Sequence, residues 1–218
     1  MLFFIHVPRT GGTSVLSALL QIVTSKLVWY DRPHHWPSYL LRSPEIKNSI
    51  SVYGGHFGYA QIRDYLTAAD HIYSIIRDPI QRVLSYHNHI TVRDPNHPLH
   101  RQIKHLSIAK AANICPQFEW EVTNTQSWFL SGTKNFQEVK RVLTSRNVRL
   151  YEMREIGRMV NDIAADLGVV GLSSVESLNV SANDYITTVT EEDIEFVIRQ
   201  NQEDIKLFEY IHFKNVLL

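Results

Sequence analysis

The residues best suited to chemistry lie in the segment Phe3–Ser14, which reads FFIHVPRTGGTS. An apolar run reaches Pro8, and an arginine, two glycines and three hydroxyl residues follow. The next residues, VLSALLQIV, have the apolar spacing of a helix. A strand, a glycine turn and a helix N-terminus bring backbone N–H groups together where the helix dipole favours negative charge. The segment therefore predicts a site for a phosphate or sulfate group, with a plain connecting turn as the alternative.

Within this loop, two adjacent glycines, Gly11 and Gly12, permit positive φ angles and a close approach of the backbone to an anion. The loop is not a Walker A motif, because GxxxxGK[ST] requires a Lys-Ser/Thr pair that this segment lacks. It does not match GxGxxG either, since its glycines are adjacent. An ordinary nucleotide kinase is therefore disfavoured, but a nucleotide ligand is not. The candidate binding residues are Arg9, Thr10, Gly11, Gly12, Thr13 and Ser14.

A second stretch, Tyr73–Tyr86, reads YSIIRDPIQRVLSY and contains Arg77 at the end of a predicted buried strand. Open α/β sheets bind ligands at this edge, and an arginine fork suits a phosphate. Ser85 lies eight residues later and can face the same crevice if the chain reverses at Asp78. A lone arginine at a strand end is more often an ion-paired surface residue. The neighbouring loop favours a second anion site instead, and we assign Asp78 and Arg82 to the turn itself.

A third stretch, Tyr53–Gly58, places His56 after a predicted strand and two glycines, at the same sheet edge. Histidine suits a general base because its unperturbed pKa is near neutrality. The alternative is a histidine that satisfies loop carbonyls. Glu119 is a substitute candidate base, although carboxylates on both sides of Trp120 are typical of an exposed helix face.

The other histidines carry weaker signals. His6 alternates with apolar residues on the first strand, which predicts a core position. His34 and His35 lie in a Pro-rich segment that is predicted to be a solvated loop. Five more invite a metal interpretation, but no HExxH or Cys/His framework accompanies them, so we expect a solvated helical face and no metal. These five are His87, His89, His97, His100 and His105.

The composition limits the class of protein. A chain of 218 residues with 44% hydrophobic residues fits one domain, 1–218, with a substantial core. Its formal net charge is zero, so we expect no nucleic-acid partner, and any anion site must be local. The single cysteine, Cys115, excludes an internal disulfide and is predicted to be structural in a reducing compartment. No apolar run reaches the ~20 residues that span a bilayer, and no signal peptide is evident. These features predict a cytoplasmic protein without a transmembrane segment.

The spacing of apolar residues along the chain predicts the strands and helices that position these residues. After the first apolar run, strands are predicted at 26–30, 50–53, 71–76 and 148–153. Helices are predicted after the first loop, at 59–66, from residue 79, at 118–130, 135–144 and 154–167, and from 190 toward 210. The segment 93–115 is compatible with helix or loop, and 169–185 is predicted to be irregular. Strands that alternate with helices predict an α/β fold with a central parallel sheet and helices on both faces.

The motifs together resemble a known family. HVPRTGGTS followed by IIRDPIQRVLSY is similar to the sulfotransferases that use 3′-phosphoadenosine 5′-phosphosulfate (PAPS). The closer branch is that of carbohydrate enzymes such as the heparan sulfate and uronosyl 2-O-sulfotransferases, where a GH segment like GGHFG supplies a histidine base. NTQSWFLSG at 124–132 resembles an NxQxxFLSG segment of bacterial members, and LNVS at 178–181 loosely resembles a loop near the adenosine. The resemblance implies a P-loop-NTPase-like three-layer fold.

The resemblance to these sulfotransferases also implies roles for the candidate residues. The loop from Arg9 to Ser14 would bind the 5′-phosphosulfate, Arg77 and Ser85 the 3′-phosphate, and His56 would deprotonate an acceptor hydroxyl. Transfer would be in line, without a metal or a covalent enzyme intermediate. The acceptor is expected to be a hydroxyl of a glycan or glycoconjugate. Four aromatic residues could stack on a sugar: Trp29, Tyr30, Trp36 and Tyr39.

The sequence departs from the family pattern at Arg9, and two alternative functions therefore remain open. Arg9 stands where the family more often has a lysine that contacts the bridging oxygen, and arginine keeps the charge with a bulkier, forked group. The chain is therefore also compatible with a non-catalytic nucleotide-binding module. An ATP-dependent phosphotransferase related to P-loop enzymes is the other alternative, which the missing Lys-Ser/Thr pair disfavours. Neutral net charge disfavours a long polyanionic acceptor, while a small glycan, a lipid-linked sugar or a secondary metabolite fits.

Overall fold

A parallel β-sheet forms the centre of the protein. The computed structural model describes residues 1–23, 28–31, 45, 48–174 and 189–216. In this part of the chain five strands pair in the order β2-β3-β1-β4-β5, and every pair is parallel. The strands are β1 Leu2–Ile5, β2 Val28–Asp31, β3 Val52–Gly55, β4 His71–Ile76 and β5 Val148–Glu152.

Helices follow the strands and cover the sheet. The described helices are α1 Gly12–Ile22, α2 Tyr59–Ile62, α3 Pro79–Asn88, α4 His100–Ile103, α5 Ile108–Ile114, α6 Pro116–Val122, α7 Thr125–Ser131, α8 Phe136–Ser145, α9 Ile156–Leu167, α10 Glu191–Gln200 and α11 Gln202–Val216. Single 3₁₀ turns lie at Arg63–Tyr65 and Met153–Glu155, and a π-helical turn at His89–Arg93 continues α3. None of the described helices is long and apolar enough to cross a membrane.

The central strand β1 is apolar throughout and buried on both sides, as expected for a strand with helices on both faces of its sheet. Successive side chains of a strand point to opposite faces. Phe3 therefore packs in a cluster with residues of α2, α7 and α8, and Phe4 in a cluster with residues of α1 and α9. This arrangement confirms the predicted three-layer α/β architecture.

A further apolar cluster joins α3, α4, α5, α6 and α10. Its members include Val83, Ile103, Ile108, Phe118 and Phe196. The segment 93–115, for which the sequence left helix and loop open, contributes two helices to this cluster. Cys115 is buried in the same cluster, in agreement with its predicted structural role.

The topology brings three loops to one edge of the sheet. After β1 the chain builds β2 and β3 on one side of it, then crosses to build β4 and β5 on the other. Ile5, at the end of β1, lies opposite Gly55 of β3 and Ser74 of β4. The carboxyl end of β1 is thus the switch point at which open α/β sheets bind ligands. The three candidate segments all begin at this edge.

Two of the predicted helices are in fact helix pairs. The predicted helix 118–130 divides into α6 and α7 because Asn124 adopts a left-handed conformation with φ 43°. Its side-chain oxygen accepts hydrogen bonds from the backbone N–H groups of Glu203 and Asp204. The predicted C-terminal helix divides at Asn201, whose side-chain oxygen accepts a hydrogen bond from the Asn124 N–H. The apolar spacing predicted continuous helices in both segments, but hydrogen bonds between distant segments stabilise a break in each.

The strand predicted at 50–53 begins and ends two residues later, so that Gly54 and Gly55 belong to β3 and not to a turn. A Cβ atom at Gly54 would lie 3.1 Å from the ring of Tyr30 and 3.4 Å from that of Phe4. Glycine thus leaves space for two aromatic rings on this face of the sheet. Of the other candidates, His34, His35, Trp36, Tyr39 and the stretch 178–181 lie outside the described residues.

Candidate active site

The loop between β1 and α1 is a glycine turn that joins a strand to a helix N-terminus, as the sequence predicted. Gly11 has φ 93°, and its carbonyl accepts the N–H groups of Ser14 and Val15 as α1 begins. The Thr13 side chain is exposed, whereas that of Ser14 is buried. The first turn of α1 therefore presents its N-terminus at the carboxyl edge of the sheet, where the helix dipole attracts an anion.

Two side chains shape this loop from within. Thr10 is buried and donates its hydroxyl hydrogen to the Val7 carbonyl over 2.8 Å, so the hydroxyl braces the loop. Gly12 lies directly against the imidazole of His6, and a Cβ atom at this position would overlap that ring. Only glycine fits at position 12, because the His6 ring lies so close to the backbone there. The sequence did not reveal this reason.

Arg9 joins the two predicted anion sites. Its Nε donates to the Ser85 hydroxyl over 3.1 Å, and the Arg77 Nη1 donates to the Arg9 carbonyl over 3.3 Å. The Arg9 backbone has φ 71°, in the left-handed region that side chains other than glycine rarely adopt. The structure therefore brings together Arg9, Arg77 and Ser85 in one continuous cationic site beside the N-terminus of α1.

His56 lies next to this site, on the loop that follows β3. Its Nδ1 is 2.9 Å from the His6 carbonyl oxygen. A carbonyl can only accept, so Nδ1 carries the hydrogen and Nε2 keeps a lone pair in the neutral ring. Burial lowers the pKa of His56, and the hydrogen bond to His6 opposes this effect only in part. His56 is therefore neutral at neutral pH, with Nε2 able to accept a proton.

His6 is buried, as the sequence predicted, but it belongs to the site. Its ring stacks on that of His56, with centroids 4.1 Å apart, and its Nδ1 forms a hydrogen bond with the Tyr30 hydroxyl. Burial, followed by the neighbouring His56 and Arg9, lowers the pKa of His6 well below its usual value. Burial raises the pKa of Tyr30, so its hydroxyl stays protonated. Tyr30, predicted as a sugar-stacking residue, thus packs against the two histidines.

His89, which the sequence predicted only to lie on a solvated helical face, follows Ser85 by one helical turn. Its N–H donates to the Ser85 carbonyl, and its side chain is half-buried. Burial, and then the positive charge of Arg9, lowers the pKa of His89. His89 is therefore a neutral imidazole near the cationic site. Its signal in the sequence was its four-residue spacing from Ser85.

The prediction that the histidines after residue 86 form a solvated face is wrong for two of them. His87 is buried, and its Nε2 bonds to the Leu106 carbonyl over 2.9 Å. His100 Nδ1 bonds to the Ile90 carbonyl over 2.7 Å. Both imidazoles therefore stabilise the helical segment that contains α4 through hydrogen bonds to backbone carbonyls. Among the described residues no group of three or more His, Cys, Asp or Glu side chains could hold a metal ion.

Of the two residues assigned to the turn after β4, Asp78 has that role, whereas the Arg82 side chain bonds to α6 and α7 instead. The Asp78 carboxylate accepts the Gln81 N–H over 2.8 Å and caps α3. Arg82 is fully buried and donates to the Thr125 hydroxyl over 3.2 Å. Glu119 is exposed on α6 beside an exposed Trp120. That exposure matches the ordinary helix-face interpretation of Glu119.

Comparison with solved structures shows what the fold resembles. The sulfotransferase from Alicyclobacillus acidocaldarius is similar with a TM-score of 0.59 at 17% sequence identity, over 96% of this chain and 94% of that one. The two proteins therefore share a fold, and the predicted P-loop-NTPase-like class is confirmed. Mouse sulfotransferase SULT7A1, complexed with PAP, is similar with a TM-score of 0.48 at 15% identity, over 91% of this chain and 62% of that one. No protein-family model and no curated protein matches the sequence.

Proposed function

We propose that this chain is a PAPS-dependent sulfotransferase that transfers a sulfuryl group to an acceptor hydroxyl. One observation carries the proposal: Arg9, Arg77 and Ser85 meet beside the N-terminus of α1, and the neutral His56 lies on the adjacent loop. The shared fold with the Alicyclobacillus sulfotransferase and the resemblance of the loop motifs support the same function. The proposal extends to one domain, 1–218, that acts in the cytoplasm.

The cationic site fits a nucleotide with two phosphate groups. Its polar groups are guanidinium groups, a hydroxyl and a helix N-terminus, all of which donate hydrogen bonds or attract negative charge. In the proposed complex the loop from Arg9 to Ser14 binds the 5′-phosphosulfate, and Arg77 and Ser85 bind the 3′-phosphate. Ser85 accepts a hydrogen bond from Arg9, which leaves its own hydrogen for a phosphate oxygen. Arg9 thus links the two ends of the ligand.

The chemistry requires a base and a cation. PAPS, when bound, supplies the sulfuryl group and the departing phosphate. As the acceptor oxygen bonds to sulfur and the bond from sulfur to the phosphate oxygen breaks, the hydroxyl proton passes to His56 Nε2. The electron pair leaves with the phosphate, and the Arg9 guanidinium stabilises the charge that develops there. The His6 carbonyl then stabilises the protonated imidazole through the Nδ1–H hydrogen bond.

For the acceptor we propose a carbohydrate hydroxyl, on a glycan or glycoconjugate. The support is the resemblance of the segment that contains His56 to the carbohydrate 2-O-sulfotransferase branch. A net charge of zero disfavours a long polyanion, because such a ligand needs an extended basic surface. No metal takes part in this mechanism, since Arg9 and the N-terminus of α1 provide the positive charge.

Calorimetry without added metal tests the donor. We expect 3′-phosphoadenosine 5′-phosphate (PAP) to bind more tightly than AMP or ATP, because Arg77 and Ser85 recognise the 3′-phosphate. Transfer of labelled sulfuryl groups from PAPS to a panel of sugars then tests turnover. Equal affinity for PAP and AMP would contradict the proposal. Tight PAP binding without transfer to any acceptor would favour a binding module, and Mg²⁺-dependent ATP turnover would favour a phosphotransferase.

A further inference from the structure

We propose that Gln126 is a positioning residue that aims the Arg77 guanidinium at the 3′-phosphate of the nucleotide. This inference rests on the proposed function, because it assigns the origin of 3′-phosphate selectivity within the same site. Gln126 lies on α7 and is distant in sequence from every candidate binding residue.

The contact between Gln126 and Arg77 is a matched pair of hydrogen bonds. The Gln126 Oε1 accepts the Arg77 N–H over 2.8 Å, and the Gln126 Nε2 donates to the Arg77 carbonyl over 2.9 Å. Arg77 directly follows β4, where the sheet ladder has ended. The side-chain amide of Gln126 therefore satisfies both backbone groups of Arg77, as a neighbouring strand would. Both backbone dihedral angles of Arg77 are fixed in this way.

Gln126 is itself held in place. Its side chain is fully buried, and its own N–H donates to Asp204 Oδ2 over 2.9 Å. The other carboxylate oxygen, Oδ1, accepts the Ser127 N–H over 2.7 Å. Asp204, on α11, is fully buried too. A carboxylate from the C-terminal helix thus fixes the start of α7, and the first turn of α7 fixes the backbone of Arg77.

A backbone clamp at Arg77 has a large effect at the end of the side chain. Arginine is a long side chain with many rotamers, so its guanidinium is placed accurately only if its Cα–Cβ bond is fixed. The Arg77 guanidinium lies against the Arg9 carbonyl, 3.3 Å away, which puts it beside the loop that begins α1. A bidentate contact to phosphate depends strongly on angle. Loss of the Gln126 clamp should therefore weaken 3′-phosphate recognition more than it weakens binding of the rest of the nucleotide.

The test compares PAP with AMP, which lacks the 3′-phosphate, in wild type and in two variants. Gln126→Leu removes both hydrogen bonds to Arg77. The matched control, Asn201→Ala, removes another buried amide that bonds to the start of the same helical region through the Asn124 N–H. We expect Gln126→Leu to lower the preference for PAP over AMP by about tenfold, the cost of one or two charge-assisted contacts, with AMP affinity changed about twofold or less. Asn201→Ala should keep the wild-type preference.

A second variant covers the case in which Gln126→Leu fails to fold. Gln126→Glu keeps the shape and can still accept the Arg77 N–H, but it cannot donate to the Arg77 carbonyl. It should also reduce the preference for PAP. In an Arg77→Ala background, Gln126→Leu or Gln126→Glu should cause no further loss of preference, because the guanidinium that Gln126 positions is already absent.

The possible results separate this inference from the proposed function. If wild type does not prefer PAP over AMP, the proposed function fails and the role of Gln126 with it. If wild type prefers PAP and the folded Gln126 variants keep that preference, the inference alone is overturned. The inference is also overturned if Asn201→Ala lowers the preference as much as the Gln126 variants do, since the effect would then be general loosening of α7.

Discussion

At the scale of the residue, one backbone carbonyl determines what His56 can do. The His6 carbonyl accepts a hydrogen bond from the Nδ1–H of His56, and burial keeps the ring neutral. Nε2 is therefore the basic atom. A histidine in the same loop without this partner would sample both tautomers. The proposed base therefore depends on His6, the residue that directly follows β1, as well as on its own position.

The first prediction concerns the loss of this base. His56→Ala should lower turnover by about 100-fold or more, the usual contribution of a general base, while PAP affinity stays nearly unchanged. The wild-type rate should fall as pH is lowered through the depressed pKa of His56, because the protonated ring cannot accept the hydroxyl proton. Steady-state kinetics across pH and PAP calorimetry check both points. Full activity of His56→Ala would refute the assignment.

The second prediction concerns the charge and shape of Arg9. Arg9→Met removes the cation beside the leaving phosphate and should lower turnover by about 100- to 1,000-fold, as loss of a single transition-state donor does. Arg9→Lys keeps the charge but loses the Nε bond to Ser85, so it should lower turnover by about tenfold or less. Single-turnover kinetics with saturating PAPS separates the two variants. A Lys variant as inactive as the Met variant would show that fork geometry, not charge, is essential.

The sequence revealed the types of residue in this site but not how they meet. Arg9, Gly11 and Arg77 stand out because glycine turns and arginines at strand ends suit phosphate. The hydrogen bond from Arg9 to Ser85 and the stacking of His6 on His56 join residues that are 76 and 50 positions apart. Such contacts depend on the order and register of the strands, which no local pattern specifies.

At the scale of the element, the junction of α7 and α11 shows the limits of periodicity. The strands were predicted well because each is a short apolar run, and β4 was predicted at its observed bounds. The break between α6 and α7 was missed, because the residue that ends α6 is stabilised by partners about 80 positions later. Asn124 favours a left-handed turn only weakly on its own. Its bonds to α11 make that turn the stable one.

The third prediction concerns Asp204 at this junction. Asp204→Ala should lower the free energy of unfolding by about 3–5 kcal/mol, because it leaves two buried α7 N–H groups without an acceptor and removes one of the negative charges that act on the buried Arg82. Urea unfolding measures this difference. Glu209→Ala, which removes an exposed carboxylate from the same helix, is the control and should change the free energy by about 0.5 kcal/mol or less. Equal, small effects would show that Asp204 contributes no more than a surface acid.

At the scale of the whole molecule, buried neutral imidazoles link stability to pH. Among the residues that the structure describes, four histidines have a pKa below the usual value, and burial is the main cause for each. They are His6, His56, His87 and His89. Each ring binds a proton more readily in the unfolded chain than in the folded one. As pH falls below the ordinary histidine pKa, the unfolded state takes up more protons, and the folded state loses stability.

The fourth prediction follows from this linkage. The free energy of unfolding of the nucleotide-free protein should decrease as pH is lowered from about 7.5 to about 5.5, through the ordinary histidine pKa of about 6.5. His6→Phe should flatten this dependence, even if it lowers stability at every pH, since it removes the most deeply buried of the four rings. His105→Gln removes an exposed imidazole and should leave the slope unchanged. Urea titrations at several pH values measure the slopes, and a wild-type slope near zero would contradict the prediction.

The order of the strands has a consequence for synthesis on the ribosome. The central strand β1 leaves the exit tunnel first, but its partners in β3 and β4 follow 50 and 69 residues later. At the usual translation speed of about 5–20 residues per second, β1 waits roughly 3–14 seconds for β4. During that time an uncharged LFFI segment has neither side of its backbone paired. The sheet therefore forms outward from β1, and nascent chains stalled before β4 has left the exit tunnel should be the ones that chaperones retain.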